Sequence, residues 1–311
     1  MTSTPEPWLR RRRNQIVVVI VVAVIAISAF GYFVPTAPKS PNQVALDKTI
    51  AYFVHNYDPR VGLIPETPGG NTYWLYSDNY LASLSLSRYD SSNQSTTNFA
   101  LAISQALGGY AATLPQSDVV SQYTALNSTS ATFSCPLTFL LSWSAPPSGQ
   151  PPGPGSATIE TTANNGNSSC ASQNYADTLL LQAIYCDRVR SNTSAIMCLP
   201  TAYLQKTAGL FDGTGFADVA FTNTNSSSKG VYQTYKLALY VIASTCLGVS
   251  STDTNLPTIE GLMLHLQDNS TGGFYSGYTS PGNHGSTVVN TETTALASLA
   301  LKAMLDPSAA C

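Results

Sequence analysis

The chain has 311 residues, of which 10% are charged and 43% are hydrophobic, and its formal net charge is −3. Beyond the four arginines Arg10–Arg13, ten basic residues stand against sixteen acidic ones. This mild acidity argues against a nucleic-acid partner, which needs a basic surface. The length is sufficient for one domain with a large buried core.

The N-terminal residues have the pattern of a membrane anchor. A basic cytoplasmic tail, residues 1–15, precedes the run Ile16–Val34, which contains no charged residue. At about 1.5 Å per residue, this run is long enough to cross the hydrocarbon core of a bilayer. Because basic residues favour the cytoplasmic side, we expect a single-pass protein of the cell membrane with its main domain extracellular. A cleaved signal peptide, with a site near Ser28–Ala29, is the alternative.

An internal repeat follows the Pro-rich linker, residues 35–43. The segments LASLSL and LASLAL match at five of six positions, and an amphipathic helix, an Asp-x-x-x-Gly turn and an aromatic loop precede each. The extracytoplasmic domain, residues 44–311, is therefore predicted to hold four hairpins. In each hairpin an amphipathic outer helix covers a nearly apolar inner helix. The apolar inner segments are residues 81–86, 179–184, 237–242 and 296–301.

A long insertion, residues 115–172, separates the second outer helix from its inner helix. It is rich in Pro, Gly and Ser, which predicts a loop. Two segments within it, residues 131–143 and 156–163, can pair as a small β-hairpin. A functional or protective flap is favoured over a second domain.

Cysteines and sequons fit an exported chain. The even number of cysteines predicts three disulfides, and we favour sequential pairing, in which the first bond closes the insertion and the other two join neighbouring helix ends. The cysteines are Cys135, Cys170, Cys186, Cys198, Cys246 and Cys311. The predicted glycosylation sites, all between predicted helices, are Asn93, Asn127, Asn167, Asn192, Asn225 and Asn269. The cysteines show no C-x-x-C spacing and no histidine clusters with them, so no metal and no cofactor is expected.

The order of helices resembles the α/α-toroid proteins, which include glycoside hydrolases, polysaccharide lyases and terpenoid cyclases. The resemblance covers residues 43–305 and rests on the architecture and on the Gly-aromatic turns, with no diagnostic family motif. It implies an all-α fold in which the inner helices form one row and the outer helices a second. Those enzymes usually close a ring of more than four hairpins. No catalytic residue is carried over from the resemblance.

The N-terminal ends of the inner helices are expected to share one face of such a fold. Aromatic rings there can stack on sugar rings, and two carboxyl groups can act as acid and base on a glycosidic bond. The catalytic candidates are Asp78, Glu292 and Glu66, and the candidate substrate-binding residues are Trp74, Tyr76, Tyr80, Tyr275, Tyr278 and His284. Equivalent positions of the second and third hairpins carry Asn174, Tyr175, Asp177, Tyr232, Gln233 and Tyr235.

Structural explanations compete with these roles. An acid in the first turn of a helix satisfies free N–H groups and the helix dipole, and the aromatic residues can belong to the core. Asp58 and Asp268 are expected to form Asx turns. Because the dipole should lower the pKa of Asp78, a hydrogen-bond acceptor is favoured over an acid at that position.

The sequence therefore predicts a membrane-anchored extracellular glycoprotein that binds a glycan or polysaccharide, with cleavage as the less favoured activity. If it is an enzyme, it is expected to be a glycoside hydrolase or a polysaccharide lyase. The alternative is a non-catalytic structural or adhesion protein of the cell surface, in which the helical array is only a scaffold. The expected partners are the membrane and a glycan, without nucleic acid, and the sequence leaves protein partners open.

Overall fold

The computed structural model describes residues 38–70, 73–89, 94–111, 122–131, 133, 138–144, 158–163, 174–192, 198–224 and 226–309. The predicted membrane span and three of the six cysteines, Cys135, Cys170 and Cys311, lie outside these residues. Within them, no helix is both long and apolar enough to cross a bilayer. The chain divides after residue 40, and all the elements below belong to the second unit, residues 41–311.

The second unit is mostly helical, as expected for an all-α protein. Its helices are α1 Pro41–Asn56, α2 Tyr76–Tyr89, α3 Gln94–Ala111, α4 Ala176–Asn192, α5 Pro200–Ala208, α6 Val219–Thr222, α7 Thr234–Cys246, α8 Leu256–His265 and α9 Thr291–Leu305. Two 3-10 turns cover Thr124–Leu126 and Pro307–Ala309. The short strands are β1 Tyr73–Leu75, β2 Thr138–Ser144, β3 Thr158–Ala163, β4 Tyr232–Gln233, β5 Phe274–Tyr275, β6 Gly277–Tyr278 and β7 Val289–Asn290.

Four helices form a buried inner row, in which α2 packs against α9, α9 against α7, and α7 against α4. Their leucines are buried as predicted, with Leu81, Leu237 and Leu301 each 0% exposed. The covering helices differ from the prediction, because each inner helix is covered by the outer helix that follows it along the chain: α3 covers α2, α5 covers α4, and α8 covers α7. The last inner helix, α9, is covered by the first outer helix, α1. The first helix of the domain therefore packs against its last inner helix.

A short strand leads directly into three of the inner helices: β1 into α2, β4 into α7, and β7 into α9. β4 pairs with β6, and β5 with β7, in antiparallel two-stranded sheets. The hairpin predicted in the insertion is present as the antiparallel pair of β2 and β3. β1 joins β2 as a third strand, a contact that local patterns in the sequence did not predict.

The Asp-x-x-x-Gly turns have the predicted Asx geometry. In the first, the Asp58 carboxylate accepts the Arg60 backbone N–H at 3.0 Å, and in the second Asp268 accepts that of Thr271 at 2.9 Å. Gly272 has a φ of 80° and donates its N–H to the Asp268 carbonyl at 2.8 Å. A Cβ at Gly272 would lie 2.4 Å from the carbonyl oxygen of Lys48, so both the backbone conformation and the close packing require glycine there.

One predicted disulfide is described completely. Cys186 in α4 is bonded to Cys198, just before α5, with a Cα–Cα distance of 5.5 Å. Cys246, at the end of α7, is also disulfide-bonded, while its predicted partner and the predicted Cys135–Cys170 bond lie outside the described residues.

Among the sequons, Asn127 and Asn269 are exposed, as glycan attachment requires. Asn192 is the last residue of α4, so it lies within a helix and not in the connection where the sequence predicted it. The asparagines Asn93, Asn167 and Asn225 lie outside the described residues.

Candidate active site

The first turns of α2 and α9 hold the loop that carries Glu66. Asn79 of α2 binds both backbone groups of Ile64, accepting the N–H at 2.7 Å and donating to the carbonyl at 2.9 Å. From α9, the Thr291 hydroxyl donates to the Pro65 carbonyl at 2.7 Å, and its N–H donates to the Glu66 carbonyl at 2.9 Å. These contacts bring the three predicted catalytic candidates to one end of the inner row.

Each inner helix contributes a polar side chain from its first turn. Asp78 is the third residue of α2, and Asp177, Tyr235 and Glu292 are the second residues of α4, α7 and α9. They lie close together because the starts of neighbouring inner helices lie at the same end of the array. Together with Glu66 they form a cluster, called the carboxyl cluster below, that holds four acidic side chains.

The carboxyl groups of this cluster act on one another electrostatically. Burial raises the pKa of Asp78 well above its usual value, and the charges of Glu292 and Glu66 raise it further. Burial also raises the pKa of Glu292; a hydrogen bond from Tyr123 opposes the shift, and the charges of Asp177 and Glu66 add to it. Like charges close together cannot all ionise easily, so the cluster favours a neutral Asp78.

The prediction that the pKa of Asp78 falls is therefore wrong. The side chain is 0% exposed, and Oδ2 has no hydrogen-bond partner among the described residues. Oδ1 accepts one hydrogen bond, from the Ser77 hydroxyl at 3.2 Å. The favourable effect of the helix dipole is outweighed because the carboxyl group is fully buried beside other acids.

Two tyrosines hold the accessible acids of the cluster. The Tyr123 hydroxyl donates to Oε1 of Glu292 at 2.5 Å, and the Tyr235 hydroxyl donates to Oδ2 of Asp177 at 2.7 Å. Glu292 and Asp177 are half-buried, whereas Tyr123 is only 6% exposed. Tyr123 lies in the insertion, where no periodic pattern marked it.

The predicted substrate-binding aromatics fall into two groups. Tyr76 and Tyr80 lie in the first turns of α2 and are half-buried, one turn apart on the same face of the helix. Trp74 and Tyr278 are 1% and 0% exposed. The prediction that these two rings stack on a ligand is corrected by the structure, because a ring buried in the core presents no face to a ligand.

Tyr275 and His284 form a separate stacked pair. Their ring centroids are 3.6 Å apart and their planes differ by 5°. The Tyr275 hydroxyl is 3.5 Å from Oδ1 of Asp268. The pair therefore belongs to the Asp268 turn, and the structure does not place it against the carboxyl cluster.

A buried ion pair holds two of the helix starts that carry the cluster. Lys236 Nζ lies 2.6 Å from Asp218 Oδ2, and the two side chains are 1% and 0% exposed. Asp218 also accepts the backbone N–H of Ala176 at 2.9 Å. Ala176 precedes Asp177, and Lys236 follows Tyr235, so the ion pair fixes the two helix starts that carry the Tyr235–Asp177 contact. The lysine within an otherwise apolar inner helix was the signal for it in the sequence.

Metal binding and similarity to known proteins also bear on the site. Among the described residues, no group of three His, Cys, Asp or Glu side chains is arranged to hold a metal ion. No family model matches the chain, and neither a curated protein nor a solved structure is similar to it. The function proposed below rests on the chemistry of the carboxyl cluster.

Proposed function

We propose that the protein cleaves a glycan, with Asp78 as the general acid and Glu292 as the base or nucleophile. The observation that carries the proposal is the burial of Asp78 beside two other carboxyl groups, Glu292 and Glu66. Glycosidic cleavage needs one protonated and one ionised carboxyl group on either side of the scissile bond. Two acids in different surroundings supply this difference.

The two surroundings assign the roles. Asp78 is fully buried, and within the described part of the chain its Oδ2 has no hydrogen-bond partner; in this proposal its carboxyl group keeps a proton that it donates to the leaving oxygen of the sugar. Glu292 is half-buried and accepts a hydrogen bond from Tyr123, which favours its ionised form. A lowered pKa of Asp78, which the sequence predicted, would favour binding over cleavage. Because its pKa is raised instead, cleavage is the better-supported activity.

Access to Asp78 requires a change on binding. The side chain is covered in the free protein, whereas Glu66, whose charge acts on it, is half-buried. Substrate entry therefore requires side chains over Asp78 to move. Tyr76 and Tyr80, half-buried near the start of α2, are the aromatic residues proposed to stack on the sugar rings.

The architecture that supports this proposal is a small α/α toroid of four hairpins. The cyclic covering of α9 by α1 is expected of a closed array. Between α2 and α4, the Leu126 carbonyl accepts hydrogen bonds from Arg88 at 2.6 Å and from Arg188 at 2.7 Å, which joins the two ends of the inner row. In a closed array the inner-helix N-termini surround the carboxyl cluster.

The proposed location is the outer face of the cell membrane, with Ile16–Val34 as a single-pass anchor. The Cys186–Cys198 disulfide supports an oxidising compartment. Exposed sequons at Asn127 and Asn269 are compatible with it.

The alternative is a non-catalytic surface scaffold. The burial of Trp74 and Tyr278 favours it, because it removes two of the aromatic contacts that a glycan groove was predicted to have.

Glycan-array binding by the Asp78→Asn protein separates these two functions. Under the catalytic proposal this variant keeps its binding and cannot turn over the ligand, so it should retain a defined class of glycan. A folded variant that binds no glycan on the array would favour the scaffold. A glycan identified in this way then serves as the substrate for measuring reducing-end release.

A further inference from the structure

The insertion contributes a residue to the carboxyl cluster. Tyr123 lies at the start of the described part of the insertion, and its hydroxyl reaches Glu292, 169 positions away in the sequence. The side chain is 6% exposed, so the contact is enclosed by the protein. The segment is therefore part of the cluster and not a loop that runs over the surface.

Two inner helices anchor this segment directly after Tyr123. Residues Thr124–Leu126 form a 3-10 turn, in which Ala125 and Leu126 are 0% exposed. The Leu126 carbonyl accepts one hydrogen bond from Arg88 of α2 and one from Arg188 of α4. Hydrogen bonds between charged donors and a backbone carbonyl are stronger than neutral ones, and two of them on one oxygen fix the chain only three residues from Tyr123.

We propose that Tyr123 is a positioning residue of the active site: the anchored segment after it holds its hydroxyl on Glu292, and this contact orients the carboxyl group and favours its ionised form. The insertion is then required for the site and is not an accessory flap. The contribution to catalysis rests on the proposed function, whereas the effect on Glu292 does not.

Burial and two neighbouring acids act against the ionisation of Glu292. Burial is the largest cause of its raised pKa, and the charges of Asp177 of α4 and Glu66 of the loop add to it. Asp78 of α2 is a third acid nearby, whose own pKa is raised by burial and by the charge of Glu292. Tyr235 of α7 donates its hydroxyl to Asp177. The hydrogen bond that the Tyr123 hydroxyl donates lowers the pKa of Glu292.

The test is a ¹³C NMR titration of the glutamate carboxyl groups in the full chain in detergent micelles. The chain has only five glutamates to label, namely Glu6, Glu66, Glu160, Glu260 and Glu292, and Glu292→Gln assigns the resonance of interest. In Tyr123→Phe we expect Glu292 to titrate about one pH unit higher, because a hydrogen bond to a charged group is lost. Tyr235→Phe, which removes the same hydroxyl from Asp177, should not raise it. An unchanged titration in Tyr123→Phe overturns the proposal.

A second measurement applies if Tyr123→Phe does not fold. In the wild-type protein, a hydroxyl proton bound to Glu292 produces an isotope shift of its carboxyl resonance when H₂O is replaced by D₂O, and the absence of that shift overturns the proposal. The titration and the cleavage assay together test the role of Tyr123 separately from the catalytic proposal. A shifted Glu292 titration in a protein that cleaves no glycan supports the role of Tyr123 and contradicts the catalytic proposal, whereas cleavage with an unshifted titration does the reverse. If both hold, the acidic limb of the rate profile moves up by the same amount in Tyr123→Phe.

Discussion

Asp78 shows how the surroundings of one side chain can reverse the effect of its position. It lies in the first turn of α2, where the helix dipole favours a charged carboxylate by about 0.3–1 kcal/mol. Full burial of a carboxyl group opposes its ionisation by a larger free energy than the dipole supplies, and so raises its pKa. Because the side chain is 0% exposed and lies beside Glu292 and Glu66, burial decides the result. The sequence showed the helix position but not the burial.

This assignment predicts the pH dependence of stability. A carboxyl group whose pKa is raised on folding binds more protons in the folded state, so its contribution to stability falls as the pH rises from its unfolded value of about 3.9 through the raised folded value. Asp78→Asn should remove this fall, and the thermal midpoint of the variant should exceed that of the wild type increasingly from about pH 4 towards neutral. Equal slopes in the two proteins would show that Asp78 is ionised in the folded state.

Asp268→Asn is a control for which the pH dependence of stability should have the opposite sign. Burial opposes ionisation of Asp268, but hydrogen bonds from Ser270 and Thr271 lower its pKa to about 2. Its stabilising contribution is present above its unfolded pKa and is lost as the pH falls towards 2. The control variant should therefore differ from the wild type most at neutral pH and least at the acidic end.

The buried ion pair gives a second prediction for a single residue. Lys236→Met leaves the Asp218 carboxylate buried without its cation, so unfolding by denaturant should show a loss of about 3–5 kcal/mol. Lys302→Met is the matched control, because Lys302 lies 3.3 Å from Asp306 in an ion pair whose side chains are 22% and 43% exposed, and the change in stability there should be small. Similar losses in the two variants would mean that the Lys236–Asp218 contact does not form in solution.

At the scale of elements, the inner helices were predictable because each is apolar on nearly every face. A helix of that kind must be buried on most sides, and the same pattern recurs at equivalent places along the chain. The acids in the first turns were predictable for a related reason, since Asp78, Asp177 and Glu292 each lie within the first three residues of an inner helix.

Other features depend on contacts that no local pattern encodes. The covering of α9 by α1 joins the two ends of the domain, and Tyr123 reaches Glu292 across 169 positions. Trp74 was mispredicted because aromatic residues beside an acid at a helix start are equally typical of a core and of a binding groove. The cluster of aromatics at the start of α2 is therefore divided: Trp74 packs in the core, and Tyr76 and Tyr80 are half-buried.

Truncation of an inner helix tests the packing. Leu299 of α9 is 3% exposed, so Leu299→Ala should lower the free energy of unfolding by about 2–5 kcal/mol through lost burial and a cavity. Leu101 of the outer helix α3 is 53% exposed, and Leu101→Ala should change stability by less than about 0.5 kcal/mol. Chemical denaturation measures both. A small effect at Leu299 would be incompatible with a buried inner row.

In the domain as a whole, the packing of α1 on α9 and the insertion both position residues of the carboxyl cluster. Covering α9 with α1 fixes the inner-helix starts that carry Asp78 and Glu292, and the 3-10 turn between α2 and α4 adds Tyr123. The carboxyl cluster thus draws on all four inner helices, the Glu66 loop and the insertion. A scaffold alone would not require so many acids to converge at one end of its inner row, since each buried acid lowers stability.

The proposed glycan cleavage requires Asp78 and Glu292 to act together on a glycosidic bond. The direct measurement is the rate of reducing-end release from the glycan identified by array binding, for the wild type, Asp78→Asn and Glu292→Gln, from about pH 4 to pH 8. The wild type should show a bell-shaped profile, and each variant should lose about 10²–10⁴-fold in rate while it keeps its fold and its binding. A folded variant of either residue that retains the wild-type rate, or a wild-type protein that binds the glycan without releasing reducing ends, would contradict the claim.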